Sequence, residues 1–227
     1  TTTSKAGLCA ELVPGSQPWQ EAVSRGAFLP IELKGDRGGT AVRVLIQRDL
    51  SPQEEMEWVH RETATLDISD GRLVVCGSLD FLCEQYFPGS DMVRTMSVPP
   101  GVYRLDLYSL YVGINGPAFN SAETNEAGTP LGTWFRETRS DTEFPLWLRR
   151  KCEENRDLDP GFESDWQDQQ RVRQDVAEES ETTWIDFIVQ LTRCSESYPV
   201  KLNPDGLVPA SSKARSLPKC PLGIRLR

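Results

Sequence analysis

Ser97-Val-Pro-Pro-Gly-Val-Tyr-Arg-Leu-Asp-Leu-Tyr-Ser-Leu-Tyr-Val112 is the stretch on which the fold turns. Pro100-Gly101 suits the two central positions of a type II turn, since proline pre-sets φ near −65° and glycine accepts a positive φ. Beyond it Tyr103, Leu105 and Leu107 alternate with Arg104 and Asp106, the period-2 pattern of a strand covered on one face. From Tyr108 to Val112 both faces are apolar, so the strand runs from an exposed end into a covered one. The pattern predicts a central strand of an antiparallel sheet, paired through the Pro-Pro-Gly turn with a strand at 92–98.

Working outward, residues 28–34 and 41–47 read as a hairpin across Gly35–Gly39, with Val42, Val44 and Ile46 on one face. Leu66, Ile68, Leu73 and Val75 flank Asp70-Gly71, a signal for a type I′ hairpin turn. The last strong strand is 184–191, where Ile185, Phe187, Val189 and Leu191 share a face. Pro18 through Arg25 predicts two helical turns ended by Gly26. Ser51-Pro52-Gln53-Glu54 is a capping box with proline in the first turn, and predicts a helix running to about Glu62.

These elements predict a mainly β chain: an antiparallel, β-sandwich-like domain of about seven strands over residues 1–194, with one clear α-helix. Hairpin signals dominate and no βαβ alternation occurs, which argues against a parallel sheet. Residues 113–183 interrupt the pattern as a long irregular and partly helical insertion, expected to be helical at 145–152 and 163–180 and to pack on the sheet. Residues 195–227 read as a basic, Pro/Ser-rich C-terminal tail with little core of its own.

A chain of 227 residues is long enough to bury a core without disulfides. The six cysteines are dispersed and form no CxxC, and there is one histidine, so neither a metal site nor a cofactor is expected. No run of 18 apolar residues predicts a membrane span, and no apolar stretch follows Thr1–Lys5 as a signal peptide would require. A cytoplasmic protein with reduced thiols is the expectation.

The net charge is −9. Between Glu153 and Glu181 eleven acids face three arginines, a balance of −8, whereas 195–227 carries six basic residues against two acids, a balance of +4. Phosphates would be repelled by the acidic bulk, so nucleic acid is not the expected partner. The acidic run, with Glu153, Glu154, Asp157, Asp159, Glu163 and Asp165, reads as a solvated face and, more sharply, as a surface for a basic protein. Asp157 through Glu163 superficially suggests a calcium loop but lacks the ligand spacing of an EF-hand.

Trp134, Arg136, Arg139, Trp147 and Arg150 interleave aromatics with guanidinium groups. Such a set can bind a sugar or small anion, or it can be an aromatic mini-core whose arginines pair with nearby acids. The mini-core is the preferred reading. His60, predicted near the end of the capped helix, is favoured there by the dipole alone, and no nucleophile elbow or phosphate loop is present.

Trp19-Gln-Glu-Ala-Val-Ser-Arg-Gly-Ala-Phe28, an alternating strand pair and Val98-Pro-Pro-Gly-Val-Tyr-Arg-Leu105 together resemble the order of elements in the competence-J proteins. These are small bacterial β-rich proteins associated with inhibition of a secreted nuclease. The resemblance covers about residues 18–112 and implies no binding residue. The charge segregation, with no catalytic constellation in the sequence, points to a non-enzymatic bacterial interaction protein, an inhibitor or immunity-type regulator of a basic partner. A β-sandwich module binding a sugar or anion through the Trp/Arg cluster is the alternative, and a carboxylate-based hydrolase comes third.

Overall fold

A computed structural model describes residues 13–31, 41–76, 93–110, 128–143, 148, 185–208 and 215–226. Within them the chain is mainly β, with six strands in two sheets and three short helices. The strands are β1 (Val42–Ile46), β2 (Trp58–Ile68), β3 (Arg72–Cys76), β4 (Val93–Ser97), β5 (Gly101–Leu110) and β6 (Phe187–Arg193). The helices are α1 (Gln17–Ser24), α2 (Pro52–Glu57) and α3 (Leu131–Thr138). The larger sheet has the order β1-β6-β5-β2, and β3 pairs with β4 in the smaller one.

β5 is central, as its alternation predicts, and is antiparallel to β2 on one side and β6 on the other. Tyr103, Leu105 and Leu107 join Leu66, Ile68, Phe187, Val189 and Leu191 in one apolar core, which Leu73, Val75 and Met96 of the smaller sheet complete. The opposite face carries Arg104, Asp106 and Tyr108 beside Thr63, Arg61, Ile188 and Gln190. Only part of that face is apolar.

Both turn signals prove to be something other than hairpin turns. Ile68 faces Gly101, and after three intervening residues on each strand Arg72 faces Ser97. The same antiparallel register therefore continues through the interruption, so β2–β3 and β4–β5 form one long ribbon bent at a shared corner. Ser69-Asp70-Gly71 and Val98-Pro99-Pro100 face each other there, joined by Val98 N–H donating to the Gly71 carbonyl at 3.0 Å. A type I′ turn needs positive φ at both central residues. Gly71 has φ +74°, but among the described non-glycine residues only Gln47 has a positive φ, so Asp70 does not qualify. Asp70 instead accepts from Arg72 N–H at 3.0 Å, and the Tyr103 hydroxyl donates to the Pro99 carbonyl at 2.5 Å, bracing the corner.

Two further expectations change. β1 lies parallel to β6, Val42 facing Phe187 and Ile46 facing Leu191, so the larger sheet is mixed. The expected hairpin partner at 28–34 lies partly outside the described residues, and Ile31 within it bridges in parallel to Val208. The capped helix also ends at Glu57, five residues before its predicted end. Trp58-Val-His begins β2 instead, because an extended chain there gains a full ladder along β5, and tertiary pairing outweighs local propensity. His60 is therefore on a strand, its Nε2 2.9 Å from Glu62 Oε1.

No helix among the described residues is long and apolar enough to cross a membrane.

Candidate functional site

A buried carboxylate with three hydrogen-bond partners lies at the end of α2. The helix starts as its sequence requires: Ser51 Oγ accepts from Glu54 N–H, and Glu54 Oε2 accepts from Ser51 N–H at 2.7 Å. Glu54 Oε1 also takes Arg43 Nη1 of β1 at 2.7 Å, tying the helix to the sheet. Burial pushes the Glu54 carboxyl up, but the Ser51 backbone and hydroxyl bonds and the Arg43 guanidinium together bring it below the ordinary value. The cap thus settles where the last residue of α2, Glu57, points.

Glu57 is 2 % exposed. Its Oε2 accepts the consecutive backbone N–H groups of Leu222 and Gly223, and its Oε1 lies 3.3 Å from Arg139 Nη2. Burial is the main influence and raises its pKa, against the backbone donors and the Arg139 and Arg215 charges that pull it down. Arg139 Nε donates to the Cys220 carbonyl, and Thr138 Oγ1 accepts from Cys220 N–H at 3.1 Å while donating to the Trp134 carbonyl. The ends of α2 and α3 therefore converge on residues 220–223.

The segment they hold runs on across the sheet. Ile185 N–H donates to the Ile224 carbonyl at 2.9 Å, and Ile224 is buried with Leu45, Tyr108, Leu110, Ile185 and Ile188. Upstream, Arg215 N–H donates to the Val59 carbonyl, Val59 being the extra residue of a bulge between the Trp58–Leu110 and His60–Ser109 pairs. The Arg215 guanidinium lies 3.7 Å over the Trp58 ring and donates from Nε to the Trp58 carbonyl at 2.8 Å. Residues 215–226 thus form a strap closing the apolar part of this face. The expectation of a tail with little core of its own does not hold for them, since Cys220 and Ile224 are buried, as is Val208 before them.

A second polar group occupies the middle of the same face. Asp106, 3 % exposed, accepts from Thr63 Oγ1 at 2.6 Å and pairs with Arg104 at 2.9 Å. The Tyr108 hydroxyl donates to Gln190 Oε1, whose amide donates to the Arg48 carbonyl. Each buried charge here is matched within the sheet.

Of the Trp/Arg set, Trp134 is 5 % exposed on the inner side of α3, Arg139 is committed to Cys220 and Glu57, and Arg136 is exposed on the outer side. Trp147 and Arg150 lie outside the described residues. So do Glu153, Glu154, Asp157, Asp159, Glu163 and Asp165, and the predicted helices at 145–152 and 163–180 apart from Leu148, which is helical and buried. The structure places Trp134 and Arg136 on α3 and Arg139 at its C-cap, turned to the strap. Glu57, Thr138 and the strap were not marked by the sequence reading. The available signal was the apolar Cys220-Pro-Leu-Gly-Ile224 run in an otherwise polar terminus.

No group of three or more metal-ligating side chains occurs among the described residues. Comparison of the chain with protein-family models, with curated proteins and with solved structures finds no match.

Proposed function

We propose that the chain is a non-enzymatic interaction protein that inhibits or regulates a basic protein partner through its acidic surface. The observation that carries this reading is where the positive charge goes. Arg43, Arg104, Arg139 and Arg215 pair with Glu54, Asp106, Glu57 and Glu55 at 2.7, 2.9, 3.3 and 3.6 Å. Those pairs are neutral as units, so the net charge of −9 is carried by the rest of the chain. A field of that sign steers a basic protein toward the chain and repels nucleic acid. Among the described residues His60 is paired with Glu62, Asp106 with Thr63 and Arg104, and Glu57 with the strap.

On this reading Glu153, Glu154, Asp157, Asp159, Glu163 and Asp165 are contact residues, and the fold is a small β-sandwich. The test is a pull-down at low salt with the full chain as bait, repeated with those six residues changed to Asn or Gln. A stoichiometric basic protein, released by salt and lost with the neutralised variant, is expected. Retention of the same partner by the neutralised variant would overturn the reading.

A further inference from the structure

The strap is held in an unusual way. Thr138, Arg139 and Glu57 bind four main-chain groups within four residues: the N–H and carbonyl of Cys220, then the N–H groups of Leu222 and Gly223. Pro221, between them, has no N–H to offer. Such a set recognises main-chain groups, including two consecutive N–H groups turned toward one carboxylate oxygen, rather than particular side chains. The one large buried apolar side chain in this part of the segment is Ile224, seated among Leu45, Tyr108, Leu110, Ile185 and Ile188.

We propose that the seat formed by Glu57, Thr138 and Arg139 is a peptide-binding site, occupied by the chain's own residues 220–224 and open to exchange with the same segment of a second copy. None of the ladder pairs β1–β6, β6–β5 or β5–β2 involves residues 215–226, so vacating the seat leaves the larger sheet paired. The segment is joined to Val208 through Pro209-Ala-Ser-Ser-Lys-Ala214, a run of small and polar residues. A second copy offers an identical segment, so the bonds that one molecule's strap gives up are remade by its counterpart, and only association entropy opposes the swap. Arg215 stacked on Trp58 makes the indole a reporter of whether the strap is seated.

The test uses the full chain and a fluorescein-labelled synthetic peptide of residues 215–227. Gly223 has φ +78°, which proline cannot adopt, and its N–H is bound by Glu57. Gly223→Pro in the full chain therefore damages the internal occupant and leaves the seat unaltered. Labelled wild-type peptide is expected to bind that variant saturably and at least about tenfold more tightly than it binds the wild-type chain, whose own strap competes. The same peptide carrying Gly223→Pro should not bind, and adding Glu57→Gln to the chain should weaken binding. Absence of binding to a folded Gly223→Pro chain overturns the proposal.

Should that variant fail to fold, native-state hydrogen exchange on the wild-type chain decides. The amides of Ile185, Arg215, Cys220, Leu222 and Gly223 are expected to exchange together and faster than those of Leu105, Leu107 and Val189. Exchange of the first group only along with the second means the seat never empties, and overturns it.

Discussion

Glu54→Gln tests how the capping box and the β1 tether position α2. The substitution keeps the side chain's shape and removes its charge. In the native chain the carboxylate, 4 % exposed, accepts the Ser51 N–H and the Arg43 guanidinium, both at 2.7 Å. Glutamine can still accept the Ser51 N–H through its single amide oxygen, so the cost falls on the Arg43 contact. The amide NH2 replaces the oxygen that took the guanidinium, and losing that charge-assisted bond with its partly buried donor left unpaired costs about 2 kcal/mol. The expected loss is about 2 kcal/mol, seen in urea unfolding as a midpoint lowered by roughly 0.7 M at unchanged slope for a slope near 3 kcal/mol/M. The loss also depends on pH. Because the folded pKa of Glu54 lies below its unfolded value, its contribution is present above the ordinary carboxylate range and vanishes as pH falls through the folded pKa. The gap between wild type and Glu54→Gln should therefore hold above the ordinary carboxylate range and close as pH falls below it. A gap that holds constant or widens as pH falls below that range would refute the reasoning.

Glu57 carries the opposite sign. Its raised pKa means that the stability it contributes is present below the unfolded value and is lost as pH rises through the folded one, so the wild type's margin over Glu57→Gln should shrink on going from acid to neutral pH in the same urea assay. A margin growing with pH would contradict this assignment. Gly26 has φ +74°, and a Cβ there would sit 2.7 Å from the Thr65 carbonyl oxygen. Gly26→Ala should cost about 2 kcal/mol or more in thermal unfolding, and a neutral effect would mean that α1 does not abut β2 as described. Trp134→Ala should destabilise by about 3–5 kcal/mol with no loss of sugar or anion affinity; loss of affinity in a stably folded variant would favour the pocket reading over the mini-core.

What the sequence made legible was chiefly local. The Ser51–Glu54 box, Pro18 in the first turn of α1 and the alternation of β5 each rest on neighbours within four residues, and each element is found. Asp70-Gly71 and Pro100-Gly101 carry equally strong local signals, yet they meet across the bend of one ribbon. A bend and a hairpin demand the same glycines, and only the distant partner strand distinguishes them. Likewise nothing in Val42–Ile46 announces that its partner is 187–191 and runs parallel to it. The Trp/Arg composition drew attention to α3, but Arg139 acts through Cys220, 81 residues further along the chain. Glu57 looks from sequence like one more acid near a helix start, and only burial against Leu222 and Gly223 makes it a reader of backbone.

Electrostatic association with a basic protein is measured as the affinity of the purified complex against salt concentration. Between about 50 and 500 mM NaCl the Debye length falls about threefold, and surface attraction should weaken with it. A steep loss of affinity is expected, carried mainly by a slower association rate. An affinity and on-rate unchanged over that range would contradict an electrostatic association.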